Sequence, residues 1–352
     1  PVPYNDILLQ YFYSIHYMQQ SQYIKAFNVC LNNNKKLFEV MKTTTNSSNW
    51  YIYIINRVSI QLRLCSYKAD DIKVTNKKTD TSYVNQAQSH LLQYFRAMIV
   101  DRAKDISQSK KLGCLNIVVQ LFKIYFKLNN HRLCTTLVRS VNNPNFPNFS
   151  TFPMSQQVSY YYYYGRLMIF DENYDEAEKA LTFVFNHLHN INSQLKHQYP
   201  QFQHNMKQLL QLLIPVKLLL GQSPSLSLVQ HYQLKEYTNI VIALKRGNVS
   251  LFNENLKEYQ YLFIKQGVYL ILEKCRALCY RNLLEKVYQL TDTDNKLQIN
   301  ACIKACNLLD LSHDVNELEC IIANLIFEGH IKGYIAHNRC VVLSKKEPFP
   351  TK

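Results

Sequence analysis

Glycine and proline are scarce in this chain, 7 and 10 among 352 residues, and that scarcity excludes folds built on tight turns. Glycine supplies the positive φ that turns require, and proline fixes φ and lacks an N–H. A chain with so few of either is made of long, uninterrupted helices. Apolar spacing agrees. Ile7, Leu8, Tyr11, Phe12 and Ile15 recur at helical intervals, as do Ile24, Phe27, Leu31 and Phe38 further along. Trp50, the single tryptophan, opens a third helix carrying Ile54, Val58 and Leu62. Others follow through Leu91–Met98 and Leu115–Phe126. Polar stretches at Thr43–Asn49 and Asp70–Ser82 read as loops, the second as a disordered or variable one. Pro144, Pro147 and Pro153 make 142–153 a connection.

Residues 158–190 carry the clearest unit. One helix runs through Tyr160–Phe170, Asp171–Asn173 turn, and a second helix spans Tyr174–His189. Gly165, Ala177 and Ala180 are small where two antiparallel helices cross, the layout of a tetratricopeptide-like hairpin of about 34 residues. Five consecutive tyrosines, Tyr160 to Tyr164, point all round a helix and so read as core packing rather than a platform for stacking bases. Gly221, Gly247 and Gly267 each follow an apolar helical run with Lys217, Arg246 or Lys265 in its last turn, the pattern of a left-handed C-cap beside a cation. Three such ends within about fifty residues indicate stacked helix pairs. A long helix follows from Val268 to about Leu290.

The period changes near the C-terminus. Lys296–Leu309 and Val315–Glu328 read as two helices, the second with Leu318, Ile321, Ile322, Leu325 and Ile326 inward. Beyond Gly329, alternation of Ile331, Gly333 and Ile335 with polar neighbours, and then Cys340–Leu343, gives a two-stranded hairpin. Helix, helix, hairpin is a winged-helix module. The expectation is an all-α, tetratricopeptide-like solenoid ending in that module. Its parts are N-terminal repeats at 1–153, further repeats at 154–291, the winged helix at 292–344 and an extended tail at 345–352.

Chemistry is sparse by comparison. There is no phosphate-binding Gly-Lys-Ser/Thr, no nucleophile elbow and no His-Glu-x-x-His; catalytic residues, a cofactor and a metal are all expected to be absent. Cys275 with Cys279, and Cys302 with Cys306, share helical faces but read as buried small hydrophobes rather than zinc ligands. His187 and His189 point to different faces of one helix. Ten scattered cysteines without a Cys-x-x-Cys pair indicate reduced thiols in cytosol or nucleus. The longest apolar tract, Leu209–Leu220, is interrupted by Gln211, Pro215 and Lys217 and is too short for a membrane span. Because the chain opens on Pro1, a preceding segment is expected.

The net charge of +15 has two readings, a nucleic-acid surface or the Lys-, Asn- and Tyr-rich usage of an AT-rich genome. Major-groove reading by the second helix of the winged module is excluded, since Asp314, Glu317, Glu319 and Glu328 on it and its lead-in repel phosphate. A patch that tracks the phosphate backbone is assigned to Lys274, Arg276 and Arg281 on the long helix, Lys304, and Lys332, Arg339, Lys345 and Lys346 on the wing and tail.

Helical repeats running into a winged helix resemble the PCI domain. The strings at 111–129, 161–189, 212–224, 263–288 and 319–350, among them Ile214-Pro215-Val216-Lys217 and the closing Pro348-Phe349-Pro350, are similar to one branch. That branch is the PCI subunit of the nuclear transcription-and-export complex. The resemblance implies a non-catalytic scaffold of mRNA export at the nuclear pore. It also implies a large scaffold partner, a small acidic partner of the proteasome-lid type, RNA or DNA backbone contact, and no membrane. A signalosome- or proteasome-lid-like subunit is the alternative.

Overall fold

The computed structural model describes residues 2–43, 49–75, 82–103, 105–194, 200–291 and 295–350. It divides into two compact units, 1–167 and 168–352.

The first unit is helical: α1 (Val2–Gln19), α2 (Tyr23–Thr43), α3 (Tyr51–Thr75), α4 (Tyr83–Ile99), α5 (Cys114–Lys127), α6 (His131–Val141) and the start of α7 (Met154–Phe170). From α1 to α6 consecutive helices pack on one another, and α5 also meets α3. From Cys114 to Phe122 every residue of α5 is buried, as expected of a helix at the centre of a stack rather than on its surface. Of the tyrosine run, Tyr160 is buried and its ring stacks on Phe122 at 5.6 Å, while Tyr161 to Tyr164 are half-buried and Tyr164 stacks on Tyr160 at 5.9 Å.

One expected loop differs in part. α3 is a 25-residue helix and continues through Asp70 to Thr75. Asp70 itself accepts hydrogen bonds from the Tyr83 and Val84 N–H groups at 2.8 and 3.1 Å, and so caps α4. Residues 76–81 of that stretch, like 44–48 of the earlier one, lie outside the described residues.

The second unit takes up the end of α7 and continues with α8 (Tyr174–Gln194), α9 (Pro200–Leu219), α10 (Leu226–His231), α11 (Lys235–Arg246), α12 (Val249–Glu258), α13 (Gln260–Gln266) and α14 (Tyr269–Thr291). Gly221, Gly247 and Gly267 all sit at positive φ, at 77°, 63° and 77°, so the glycine-plus-cation signature marks real helix ends. At Gly247 the chain passes against α14. The Asn282 amide and Lys286 ammonium donate to the Leu244 and Arg246 carbonyls at 2.8 and 3.0 Å, and so occupy acceptors that α11 leaves open at its C-terminus.

The Ile214-Pro215-Val216-Lys217 string has a physical explanation. Pro215 lies inside α9 and has no N–H for the Gln211 carbonyl one turn earlier. The buried Tyr237 hydroxyl of α11 donates to that carbonyl instead, at 2.9 Å. Two residues on, the Lys217 ammonium meets Glu178 of α8 at 2.7 Å, and this contact holds the Glu178 carboxyl below its usual value. Tyr237→Phe is expected to cost about 1–2 kcal/mol by leaving the carbonyl unpaired. In a Pro215→Ala background, where the missing N–H returns, the same change should cost less. Denaturant titration of the four proteins measures the difference, and equal costs in both backgrounds would disprove the pairing.

The unit ends in β1 (Lys296–Gln298), α15 (Ile299–Asn307), α16 (Val315–Phe327), β2 (Gly333–Ala336) and β3 (Cys340–Leu343). The sheet is antiparallel in the order β1-β3-β2, with Leu297 and Ile335 both opposite Val341. The sequence-based hairpin is therefore a three-stranded sheet. Lys296–Gln298, taken above as the start of a helix, is its edge: Leu297 is buried and its two neighbours exposed, an alternation too short to register as period two. Leu318, Ile322 and Leu325 are the buried apolar positions of α16, while Ile321 and Ile326, expected inward as well, are half-buried.

Eight of the ten cysteines are buried, four in each unit: Cys30, Cys65, Cys114 and Cys134, then Cys275, Cys279, Cys302 and Cys306. Among the described residues, no helix is long and apolar enough to cross a membrane. Among the described residues, too, no group of three or more His, Cys, Asp or Glu side chains is placed to hold a metal ion.

Candidate nucleic-acid interface

The winged helix is tied together by the acidic residues that argued against groove reading. Asp314 caps α16 by accepting the Glu317 N–H at 2.6 Å, while the Glu317 carboxylate accepts the Asp314 N–H at 3.3 Å, a reciprocal capping box. Glu319 is buried beneath the wing tip. It accepts the Asn338 N–H at 2.7 Å and lies 2.7 Å from His337 Nδ1, and these two contacts, the amide first, hold its carboxyl below the usual range. Much of the negative charge on α16 thus serves the fold of the module itself.

The eight cations assigned to a phosphate surface do not form one cluster. Arg281 is not at the surface. It is buried on α14, paired with Glu285 one turn on at 2.6 Å, and its guanidinium donates to the Phe349 carbonyl as well. The tail is accordingly not a loose extension. Phe349 is buried, with its ring 6.0 Å from Tyr288 and beneath the Arg281 guanidinium. The Pro348 carbonyl accepts the Lys332 N–H at 2.8 Å. Residues 351 and 352 of the expected tail lie outside the described residues. Lys274 is held by Glu172 at 2.8 Å and by the Tyr174 hydroxyl at 3.2 Å, Arg276 approaches Glu273 at 3.5 Å, and Lys332 pairs with Glu347 at 3.1 Å.

Lys304, Arg339, Lys345 and Lys346 remain, all exposed and in no ion pair among the described residues. They lie at separate places on the module. Arg339 follows β2 at the wing tip. Lys345 and Lys346 come after β3 at its far end, beside Lys332, whose carbonyl accepts the Ser344 N–H at 2.8 Å. At about 3.4 Å per extended residue, the two ends are up to roughly 20 Å apart. Cations spaced in this way suit a polyanion lying across the module more than a small anion. Sequence reasoning missed the Arg281–Glu285 pairing, although its i,i+4 spacing on a helix was available as a signal.

Comparison with known proteins agrees with this architecture. The PCI domain model matches residues 256–345, from α12 to just beyond β3. Helical repeats feeding a three-stranded winged helix make this a PCI-domain protein. The PCI domain-containing protein 2 homolog of Dictyostelium discoideum is 33% identical over 349 residues, covering 99% of this chain and 79% of that protein. PCI domain-containing protein 2 of Xenopus laevis is 34% identical over 354 residues, 99% of this chain and 84% of its own length. Protein CSN12 homolog of Mycosarcoma maydis is 31% identical over 334 residues, 88% of this chain and 71% of that one. The chain belongs to the family of PCI domain-containing protein 2. None of these three names denotes an enzyme.

Proposed function

We propose that this chain is a non-catalytic scaffold subunit of the nuclear mRNA-export complex. In this reading it works in the nucleus beside the nuclear pore, bound to a large scaffold protein and a small acidic subunit, and contacts nucleic acid without reading sequence. The supporting observation is the winged helix: Asp314, Glu317 and Glu319 are turned to internal contacts, while Lys304, Arg339, Lys345 and Lys346 are exposed and in no ion pair among the described residues. Affinity purification from the protein's own cells, read by mass spectrometry, tests the assembly. Recovery of the large scaffold, the small acidic protein and pore components is the expected result.

The nucleic-acid surface is tested separately. Reversing Lys304, Arg339, Lys345 and Lys346 to glutamate should weaken binding to single-stranded RNA and reduce the log–log salt slope by about 3, at about 0.7 per lost phosphate contact. Lys332→Glu, which removes a cation already paired, should change it far less. Unaltered binding by the fourfold variant would remove the surface from the proposal. The different name of the Mycosarcoma maydis relative keeps a second reading in view, a subunit of a signalosome- or proteasome-lid-like assembly. Co-purification with such an assembly, independent of RNA, would favour it.

A further inference from the structure

A cleft of about 1190 Å³ in the second unit lies where the start of α8, the middle of α14 and the C-terminal half of α16 converge. Its floor is apolar, with Leu219, Ala277, Ile321 and Leu325 along it. Its rim has the opposite electrostatic character to the rest of the protein. Six carboxylates line the cleft against three Lys or Arg side chains, in a chain whose net charge is +15. The three cations are already neutralised locally, Lys179 by Glu176, Lys274 by Glu172 and Arg276 by Glu273. Of the six, Glu172, Glu178 and Glu273 are themselves paired, with Lys274, Lys217 and Arg276, and Glu328 on the α16 wall lies 3.4 Å from His330; Asp171 and Asp175, both exposed, form no ion pair among the described residues.

We propose that this cleft is the docking groove for a cationic amphipathic segment of a partner protein, its apolar side chains on the floor and its Lys or Arg side chains on the carboxylate rim. Three observations favour that occupant over others. The rim repels a polyanion, so the groove is distinct from the nucleic-acid surface, and an acidic partner is disfavoured on the same ground. The floor offers apolar area drawn from α9, α14 and α16, a surface that can receive one face of an amphipathic helix. The wall already shows how a primary ammonium is held there: Lys274 Nζ lies 5.3 Å from the centre of the Tyr174 ring, against the Glu172 carboxylate and the Tyr174 hydroxyl. Local negative potential in a positively charged protein also selects among partners, because a cationic segment is attracted here and repelled elsewhere. The proposal deepens the scaffold reading by giving the chemistry of one partner, yet its test requires neither RNA nor the assembled complex.

The test uses the purified full chain and two fluorescent 18-residue synthetic peptides, an amphipathic Leu/Lys helix and its Leu/Glu counterpart, by anisotropy and by hydrogen exchange. The Leu/Lys peptide should bind more weakly as salt rises and should protect amides at 171–178 and 321–328. Asp171→Lys with Asp175→Lys, both at exposed positions, should weaken it at least 10-fold. Lys345→Glu with Lys346→Glu, away from the groove, should not weaken it. Binding unaffected by the aspartate reversals, or protection confined to other segments, would overturn the groove assignment. Loss of the export partners in cells with intact peptide binding would instead overturn only the scaffold reading.

Discussion

Replacing Arg281 by methionine is expected to lower the unfolding free energy by about 2–3 kcal/mol, measured by denaturant titration. The guanidinium is almost wholly enclosed, at 9% side-chain exposure, and joins Glu285 to the Phe349 carbonyl. Removing one member of a buried pair costs about 3–5 kcal/mol because its partner is left behind. Glu285 is 32% exposed and regains some water, which brings the figure below that range. The second consequence is local. Phe349 loses the cation above its ring and the donor to its carbonyl, so the chain after Ser344 should become sensitive to limited proteolysis. Arg281→Lys keeps a charge but not the forked geometry and should fall between the two. If the methionine variant were as stable as the parent and bound RNA more weakly, Arg281 would belong to the surface after all.

Gly247→Ala should be comparably damaging, about 3 kcal/mol, and Gly329→Ala provides the control. Both glycines have left-handed backbone, at φ 63° and 78°, and both end a helix. An alanine pays a strain of about 1–2 kcal/mol for that conformation at either place. What differs is the space. A Cβ at Gly247 would lie 2.5 Å from the Leu283 nitrogen and 2.7 Å from its Cα, backbone that cannot swing aside, whereas nothing lies within 4 Å at Gly329. Forcing α11 away from α14 adds about 1–3 kcal/mol and disturbs the Asn282 and Lys286 caps. The Gly329 variant should lose only about 1 kcal/mol. Equal losses for the two would mean that the helix approach carries no energetic weight.

The same comparison shows what sequence can and cannot reveal. A glycine after an apolar helical run, with a cation in the last turn, announces a positive φ, because few other residues adopt one without strain. Nothing in that local signal tells which glycine abuts a neighbouring backbone. Helices were legible for a related reason, since each repeats its burial pattern over many turns, whereas the three residues of β1 complete too little of a period. The eight cations were the least legible feature. A sequence counts charges but does not show that Lys332 faces Glu347, fifteen residues away, or that the Lys274 ammonium reaches Glu172 from a distant helix. The acids of α16 were read only as unfavourable to phosphate. Their use in the capping box and under the wing depends on where Asn338 comes to rest.

The buried thiols give the molecule built-in reporters of its own opening. Burial pushes Cys114 in the first unit, and Cys279 and Cys302 in the second, up to about 12, so at neutral pH almost none of their thiolate is present to react. Exposed Cys320 supplies an internal reference on the same chain. Alkylation at each of these sulfurs therefore proceeds only as fast as its surroundings admit water and reagent. With four enclosed sulfurs in either half, the order in which they are labelled gives a sequence of local unfolding events, without any introduced probe.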